Sequence, residues 1–279
     1  MWPSRRPPAA KFTRLPERVR YGVRVRPVII AAGRGSRLQN ETDEIPKTLV
    51  EVMGRPMLEW ILEAFATAGF ARRDVVFVCG YRAEVIQARY PELTYVTNHD
   101  WPNNNILLSL LVARDYLADG FVSTYGDIVY EGAVVQKLVR SSAELALGCD
   151  TAWRRRYVGR TQHPETDAEK LRADGKRVLE LSRTIPSEQA DGEFIGVMKA
   201  SPAGAAQLMA AFDRAQQRHG GGGVYREGRS FQKAYLIDLL AEMLEQGTPM
   251  QREDTHGGYM EIDTLQDLSL SEKWWKERP

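Results

Sequence analysis

Cysteine is scarce. The 279 residues hold two, Cys79 and Cys149, far apart, and four histidines at 99, 163, 219 and 256. Two such thiols make no disulfide framework and read as buried and reduced, and no Cys/His set has zinc spacing. Long apolar runs are missing too. No segment has 18 consecutive apolar residues, and the N-terminus lacks an apolar stretch of signal-peptide length. Neither a membrane span nor an export signal is expected, so the chain reads as cytoplasmic. Charge of one sign is also absent: 38 Lys and Arg oppose 37 Asp and Glu, a net charge of +1. No global field then argues for nucleic acid or membrane as a partner. Internal repeats are absent, and no linker demands a second folded domain.

What is present is an ordinary globular composition, 43% hydrophobic and 27% charged, long enough to bury a full α/β core. The charge is uneven. Residues 1–26 carry eight Lys or Arg against Glu17 alone, with Pro3, Pro7, Pro8 and Pro16 among few apolar residues. An arm of that composition cannot offset the entropy of ordering by burial and is expected to be disordered. Residues 27–279 are expected to form a single domain.

Residues 27–32 read as a strand apolar on both faces, as in a parallel sheet. Apolar residues at 57, 58, 61, 62 and 65 recur with helical period over Pro56–Ala68. Strands at 74–79, 93–97 and 121–125 alternate with helices at 83–89, 106–117 and 132–141. This β-α alternation predicts a doubly wound, mostly parallel sheet with ligands at the strand carboxyl ends. Gly33, Gly80 and Asp127 all fall there. Residues 143–200 read as short strands and turns. Amphipathic helices are expected at 202–217 and 231–246, a strand at 259–262, and a closing helix at 264–276 capped by Asp263 or Thr264.

The run Ala31-Ala32-Gly33-Arg34-Gly35-Ser36-Arg37-Leu38, with Lys47 nine residues on, follows the first strand. Gly33 and Gly35 let backbone amides approach a polyphosphate, and Arg37 and Lys47 add positive charge. A dinucleotide fingerprint is excluded, because Leu38 stands where its third glycine belongs, and no Gly-Lys-Ser/Thr completes a P-loop. Each residue has a plainer reading when taken alone. The glycine turn is a tight strand–helix connection, Asp127 and Asp263 are helix caps, Asn103–Asn105 a turn, and Lys170 a surface lysine.

Ala31–Leu38, Pro46-Lys47-Thr48-Leu49-Val50 and Gly54-Arg55-Pro56-Met57-Leu58 together resemble the signature of nucleotidyltransferases that act on sugar phosphates and choline phosphate. Lys47-Thr48 replaces the usual Lys-Pro. Further stretches resemble the phosphocholine and phosphonate cytidylyltransferase branch: Trp101-Pro102-Asn103-Asn104-Asn105-Ile106 with Ser109, Gly126-Asp127, Asp167-Ala168-Glu169-Lys170, Gly192-Glu193-Phe194-Ile195-Gly196, and Met260-Glu261-Ile262-Asp263-Thr264. The resemblance spans residues 27–275. It implies a Rossmann-like nucleotidyltransferase fold with a small acceptor-binding β insertion.

The implied reaction joins CMP from CTP to a small phosphate or phosphonate such as phosphocholine and releases pyrophosphate. Its cofactor is Mg²⁺, a hard cation suited to oxygen ligands from Asp127 and Asp263. Glu261 shares a strand face with Asp263 and is a third candidate. The resemblance places Lys47 on the α-phosphate and Arg37 on the leaving pyrophosphate. Ala31–Ser36, Gly80, Tyr81, Asn104, Asn105 and Ser109 would surround the nucleotide. Trp153, Tyr157, Glu169, Lys170, Glu193 and Gly196 would surround the acceptor, Trp153 and Tyr157 by cation–π contact. On an alternating strand, Arg154 and Arg156 would point together into solvent. The partners expected are CTP and the acceptor, with a homodimer as the one protein assembly considered. Rival readings are a sugar-1-phosphate nucleotidyltransferase using UTP, dTTP or GTP, and an inactive nucleotide-binding subunit.

Overall fold

The computed structural model describes residues 25–278. The expectation for the basic arm therefore lies outside the described residues, except that Arg26 already belongs to the first strand. In chain order the elements are β1 (Arg26–Ile30), a short hairpin of β2 (Glu51–Val52) and β3 (Arg55–Pro56), α1 (Met57–Thr67), β4 (Val76–Cys79), α2 (Ala83–Arg89), β5 (Thr94–Thr97) and α3 (Ile106–Leu111). Then come β6 (Phe121–Tyr125), β7 (Ile128–Tyr130), α4 (Gly132–Arg140), β8 (Leu145–Asp150), β9 (Lys170–Asp174), β10 (Arg177–Ser182) and β11 (Gly192–Ala200). The chain closes with α5 (Pro202–His219), α6 (Leu236–Glu245), β12 (Gln251–Thr255), β13 (Tyr259–Glu261) and α7 (Leu265–Lys276).

The main sheet has nine strands in the order β5-β4-β1-β6-β11-β8-β12-β10-β9. From β5 to β6 every pairing is parallel. Beyond β6 the sheet is mixed, and this corrects the expectation of a mostly parallel sheet. β11 runs antiparallel to β6 and β8, β12 is parallel to β8, and β10 and β9 return antiparallel. A parallel neighbour needs a crossover, usually a helix, and no α-helix lies between β8 and β11, where the chain runs through β9, β10 and turns. β9 also pairs with β11, so β11, β8, β12, β10 and β9 close into a ring, a small barrel at the sheet's end.

Helices cover both faces. One core packs α3, α5 and α6 against the sheet through residues such as Leu107, Leu110, Leu208, Phe212 and Leu240. The other packs α1 and α4 through Leu58, Ile61, Phe65, Val135 and Leu138. A third, smaller cluster seats α7 on the β2–β3 hairpin, with Trp275 edge-on to Trp60 at 5.6 Å. No helix among the described residues is long and apolar enough to cross a membrane.

Three local expectations are revised. The helix expected at 106–117 ends at Leu111, where bonding tightens to the i→i+3 pattern at Ala113. The helix expected from 231 starts at Leu236, because the Asp238 carboxylate accepts from the Tyr235 amide and fixes the cap there. Thr264, not Asp263, caps α7. Its hydroxyl accepts from the Asp267 amide, while the Asp267 carboxylate accepts from the amides of Thr264 and Asp263.

Candidate active site

Two cavities meet at the carboxyl ends of β1 and β6. The first, about 290 Å³, is lined by the loop after β1 and by the start of α3. The second, about 350 Å³, lies toward the small barrel. Arg37, Asn105, Ile106, Asp127 and Asp263 belong to both walls.

The loop after β1 is shaped by Gly35 at φ +70°. A Cβ there would fall 2.5 Å from Cδ of Lys47. The glycine therefore supplies the left-handed turn and leaves room for the lysine stem to cross. Lys47 is buried, and its Nζ donates to Asp127 Oδ2 at 2.8 Å and to Asp263 in a shorter contact. Burial opposes the ammonium charge, but the two carboxylates outweigh it and raise the proton affinity of Lys47 above its ordinary value. Arg37 donates to Asp263 Oδ2 at 2.5 Å. Burial works against the Asp263 carboxylate as well, yet Lys47 and Arg37 hold its pKa below the usual range.

Asp127 and Asp263 are brought together by backbone. β13 pairs antiparallel with β7, and the amide of Ile262 donates to the carbonyl of Asp127 at 3.0 Å. Asp127 Oδ1 is buried without a hydrogen-bond partner among the described residues. Glu261 lines the second cavity with Asp263, and burial with the Asp263 charge pushes its pKa up. His163 completes this corner. Its ring nitrogens lie 3.4 Å from Asp263 and 3.7 Å from Glu261, and ligand atoms of the three residues fall within 4.8 Å of one another. Arg160 holds the loop bearing His163 through an ion pair to Asp267 at 2.6 Å.

Ala31, Ala32, Gly33, Gly35, Ser36, Asn104, Asn105 and Ser109 line the first cavity. Buried Asn98, which carries no motif, organises part of this wall, donating to Asn104 Oδ1 at 2.8 Å and Ser109 Oγ at 2.9 Å. Asn105 caps α3 through the Ile106 amide. Gly80, Tyr81 and Arg34 do not line either cavity. Gly80 backs onto Trp101, where a Cβ would meet the ring at 2.8 Å. Tyr81 packs on Trp101 and donates to the Asp43 carbonyl, while Arg34 pairs with the Asp43 carboxylate at the surface.

Glu169, Glu193 and Gly196 line the second cavity. Trp153, Tyr157 and Lys170 do not. Residues 153–157 form a 3₁₀ turn instead of a strand. With three residues per turn, Trp153 and Arg156 fall on one side, and this corrects the expectation that Arg156 points into solvent. Arg156 is buried, ion-pairs with Glu193 in a short contact and with Asp150 at 3.4 Å, and lies over the Tyr259 ring. Tyr157 donates to the other Glu193 oxygen at 2.7 Å, and Trp153 packs against Tyr157 and Ala168. Lys170 opens β9 with its side chain turned from Glu169 into a separate cavity, where burial lowers its proton affinity. The second cavity also holds Tyr125, Asp167, Arg183, Tyr235 and Tyr259. Of these, only Asp167 fell within a stretch that resembled a known family.

Residues 27–226 match the sequence profile of the MobA-like NTP transferase domain. The chain is 25% identical over 253 residues to the CTP:phosphoglutamine cytidylyltransferase of Campylobacter jejuni, a match covering 87% of this chain and 97% of that protein. It is 38% identical over 96 residues to the 2-aminoethylphosphonate cytidylyltransferase of Lancefieldella rimae, covering 33% of this chain and 38% of that one. In fold it is similar to the CTP:phosphocholine cytidylyltransferase of Streptococcus pneumoniae, with a TM-score of 0.64 at 19% identity, over 90% of this chain and 99% of the other.

Proposed function

The chain belongs to the MobA-like NTP transferase family, and on that premise we propose that it transfers CMP from CTP to a small phosphate or phosphonate. The observation that carries this reading is Lys47, held between Asp127 and Asp263 beside the wall shared by the two cavities. Each cavity takes one reactant. The nucleotide occupies the first, its phosphates over the Ala31–Ser36 loop and its base and ribose toward Asn104, Asn105 and Ser109. The acceptor occupies the second, beside Glu169, Glu193 and Gly196.

An acceptor oxygen forms a bond to the α-phosphorus, and the bond from that phosphorus to the β-phosphate oxygen breaks to release pyrophosphate. At neutral pH the acceptor oxygen is already largely ionised, so no general base is needed. The enzyme's task is alignment and neutralisation of charge. Lys47 stabilises the charge that grows on the α-phosphate oxygens, and Arg37 holds the leaving pyrophosphate.

Asp127, Asp263 and Glu261 fit a divalent cation. They offer hard oxygen donors, and Asp127 Oδ1 is buried and has no hydrogen-bond partner among the described residues. Mg²⁺ held there would neutralise phosphate oxygens of the nucleotide and release Lys47 to the substrate.

The test is pyrophosphate release with Mg²⁺, each common NTP, and a panel of phosphocholine, aminoethylphosphonate, glycerol phosphate, inositol phosphate and glucose-1-phosphate. Turnover confined to CTP with non-sugar acceptors is expected. Turnover only with a sugar phosphate, or with another NTP, would overturn the reading.

A further inference from the structure

We propose that the acceptor carries an amino-acid head group, an ammonium and a carboxylate on one carbon, and that the Asp167–Arg183 ion pair receives it; the inference rests on the cytidylyl-transfer reading. The second cavity is acidic. Asp127, Asp167, Glu169, Glu193, Glu261 and Asp263 face it, against Arg37 and Arg183. Both oxygens of Glu193 are occupied by Arg156 and Tyr157, and Asp263 is matched by Lys47 and Arg37. Asp127 is matched by Lys47, and burial favours the neutral form of Glu169, so Asp167 remains, and an ammonium is the group its carboxylate attracts.

If the acceptor carried a cation alone, Arg183 would repel it from the same wall. The guanidinium is also underused. Nη2 donates to Asp167 Oδ1 at 2.6 Å. Nε is buried without a partner, and Nη1 makes no hydrogen bond among the described residues. The guanidinium carbon lies over the Tyr235 ring, 5.0 Å from its centroid. One carboxylate and one guanidinium thus stand side by side, each with capacity unspent. An ammonium and a carboxylate on one carbon match that pair in charge and in spacing.

A quaternary ammonium would need open aromatic faces. Trp153 and Tyr157 are turned away from this cavity. Tyr235 is covered by Arg183 and, at 4.7 Å, by Arg229, Tyr259 is covered by Arg156 at 4.3 Å, and Tyr125 and Phe194 pack edge to face on each other at 6.3 Å. Reach fits a short acceptor. The His163 ring spans from Asp263, 3.4 Å from Nδ1, to Asp167, 3.9 Å from Nε2. The head-group site therefore lies one imidazole away from the reacting centre.

The experiment compares acceptors that differ only by the carboxylate, using the full chain with CTP and Mg²⁺. Phosphoethanolamine is set against O-phosphoserine, and 2-aminoethylphosphonate against 2-amino-3-phosphonopropionate. The carboxylate-bearing member of at least one pair is expected to have the higher kcat/KM, by about 10- to 100-fold for one charge-assisted contact. Arg183→Gln is expected to collapse that ratio, and Arg183→Lys to restore part of it. Equal or lower kcat/KM for both carboxylate-bearing members, or an unchanged ratio in Arg183→Gln, would overturn the proposal while leaving cytidylyl transfer standing. If no acceptor turns over, the activity reading fails instead. Calorimetric binding of O-phosphoserine against phosphoethanolamine then still decides the docking: tighter binding of O-phosphoserine, lost in Arg183→Gln, supports it, and equal binding overturns it.

Discussion

Two clusters of buried charge in this protein have nearly the same composition and different access to solvent. Lys47 with Asp127 and Asp263 borders both cavities, and the Asp127 side chain is 29% exposed. Arg156 with Glu193 and Asp150 is more enclosed: the Asp150 side chain is 0% exposed, Glu193 lines the second cavity, and Arg156 borders only a separate small cavity beside α7. Each cluster leaves one carboxylate oxygen without a hydrogen-bond partner among the described residues, Asp127 Oδ1 in the first and Asp150 Oδ2 in the second, but only the first has both of its acids on the wall shared by the two cavities. The second uses both oxygens of Glu193 to fasten the turn at 153–157 to β11. On the proposed function the first cluster is a reaction site and the second a fastening, and the difference lies in what each faces. The comparison predicts that damage to the first cluster costs turnover, and damage to the second costs fold.

The largest effect is expected at the first cluster. Asp127→Ala should lower kcat for pyrophosphate release by about a thousandfold or more, as expected when a charge-stabilising group is lost at the reacting phosphorus. The thermal midpoint should stay within a few degrees of the parent, because Asp127 is part-exposed and its removal frees Lys47 for Asp263 alone. Near-normal turnover in this variant would remove the site from this corner. The next effect belongs to the second cluster. Arg156→Met leaves Glu193 and Asp150 buried without their cation and should destabilise the protein by about 3–5 kcal/mol. Urea unfolding measures this, and a loss below about 1 kcal/mol would mean that the cluster is not a fastening.

The first cluster was largely legible in the sequence and the second was not, for physical reasons. Ala31–Leu38, Lys47 and Asp127 follow strands whose apolar runs are plain, and chain direction alone sends the ends of parallel strands to one edge. Asp263 lies 216 residues from Lys47, so only the resemblance tied them together. Trp153–Tyr157 was misplaced because five residues carry too little pattern to separate a period of two from a period of three. His163 has no ligand neighbour at metal spacing, since its partners Glu261 and Asp263 arrive through the β7–β13 ladder. Arg183 and Tyr235 sit in connections without periodicity, and they meet only because β10 and α6 pack together. The parallel half of the sheet was read correctly from its alternation. The small barrel was not, because antiparallel closure depends on pairings between β9 and β11 that leave no local signature.

Glu169 offers the finest test of the comparison, since it stands in the cavity wall and yet forms no ion pair among the described residues, with Arg183 only a weaker opposing charge. Burial, with the Glu261 charge adding to it, pushes its pKa up to about 8 from an ordinary 4.5, while the Tyr125 hydroxyl donates to it at 3.2 Å. A carboxyl whose folded pKa is raised favours the fold while it is protonated. Its contribution is complete below about pH 4.5, shrinks as pH rises toward 8, and is gone above that. Glu169→Gln removes the titration and keeps the acceptor for Tyr125. The stability of the variant relative to the parent should therefore rise between pH 5 and pH 9, by about 1–2 kcal/mol once water at the cavity wall is allowed for. Parallel urea titrations at the two pH values isolate the effect, because every other titrating group is common to both proteins. A difference that does not change with pH would mean that Glu169 is ionised throughout, as a carboxylate with a cation partner would be, and the wall would then be already neutralised where the comparison leaves it open.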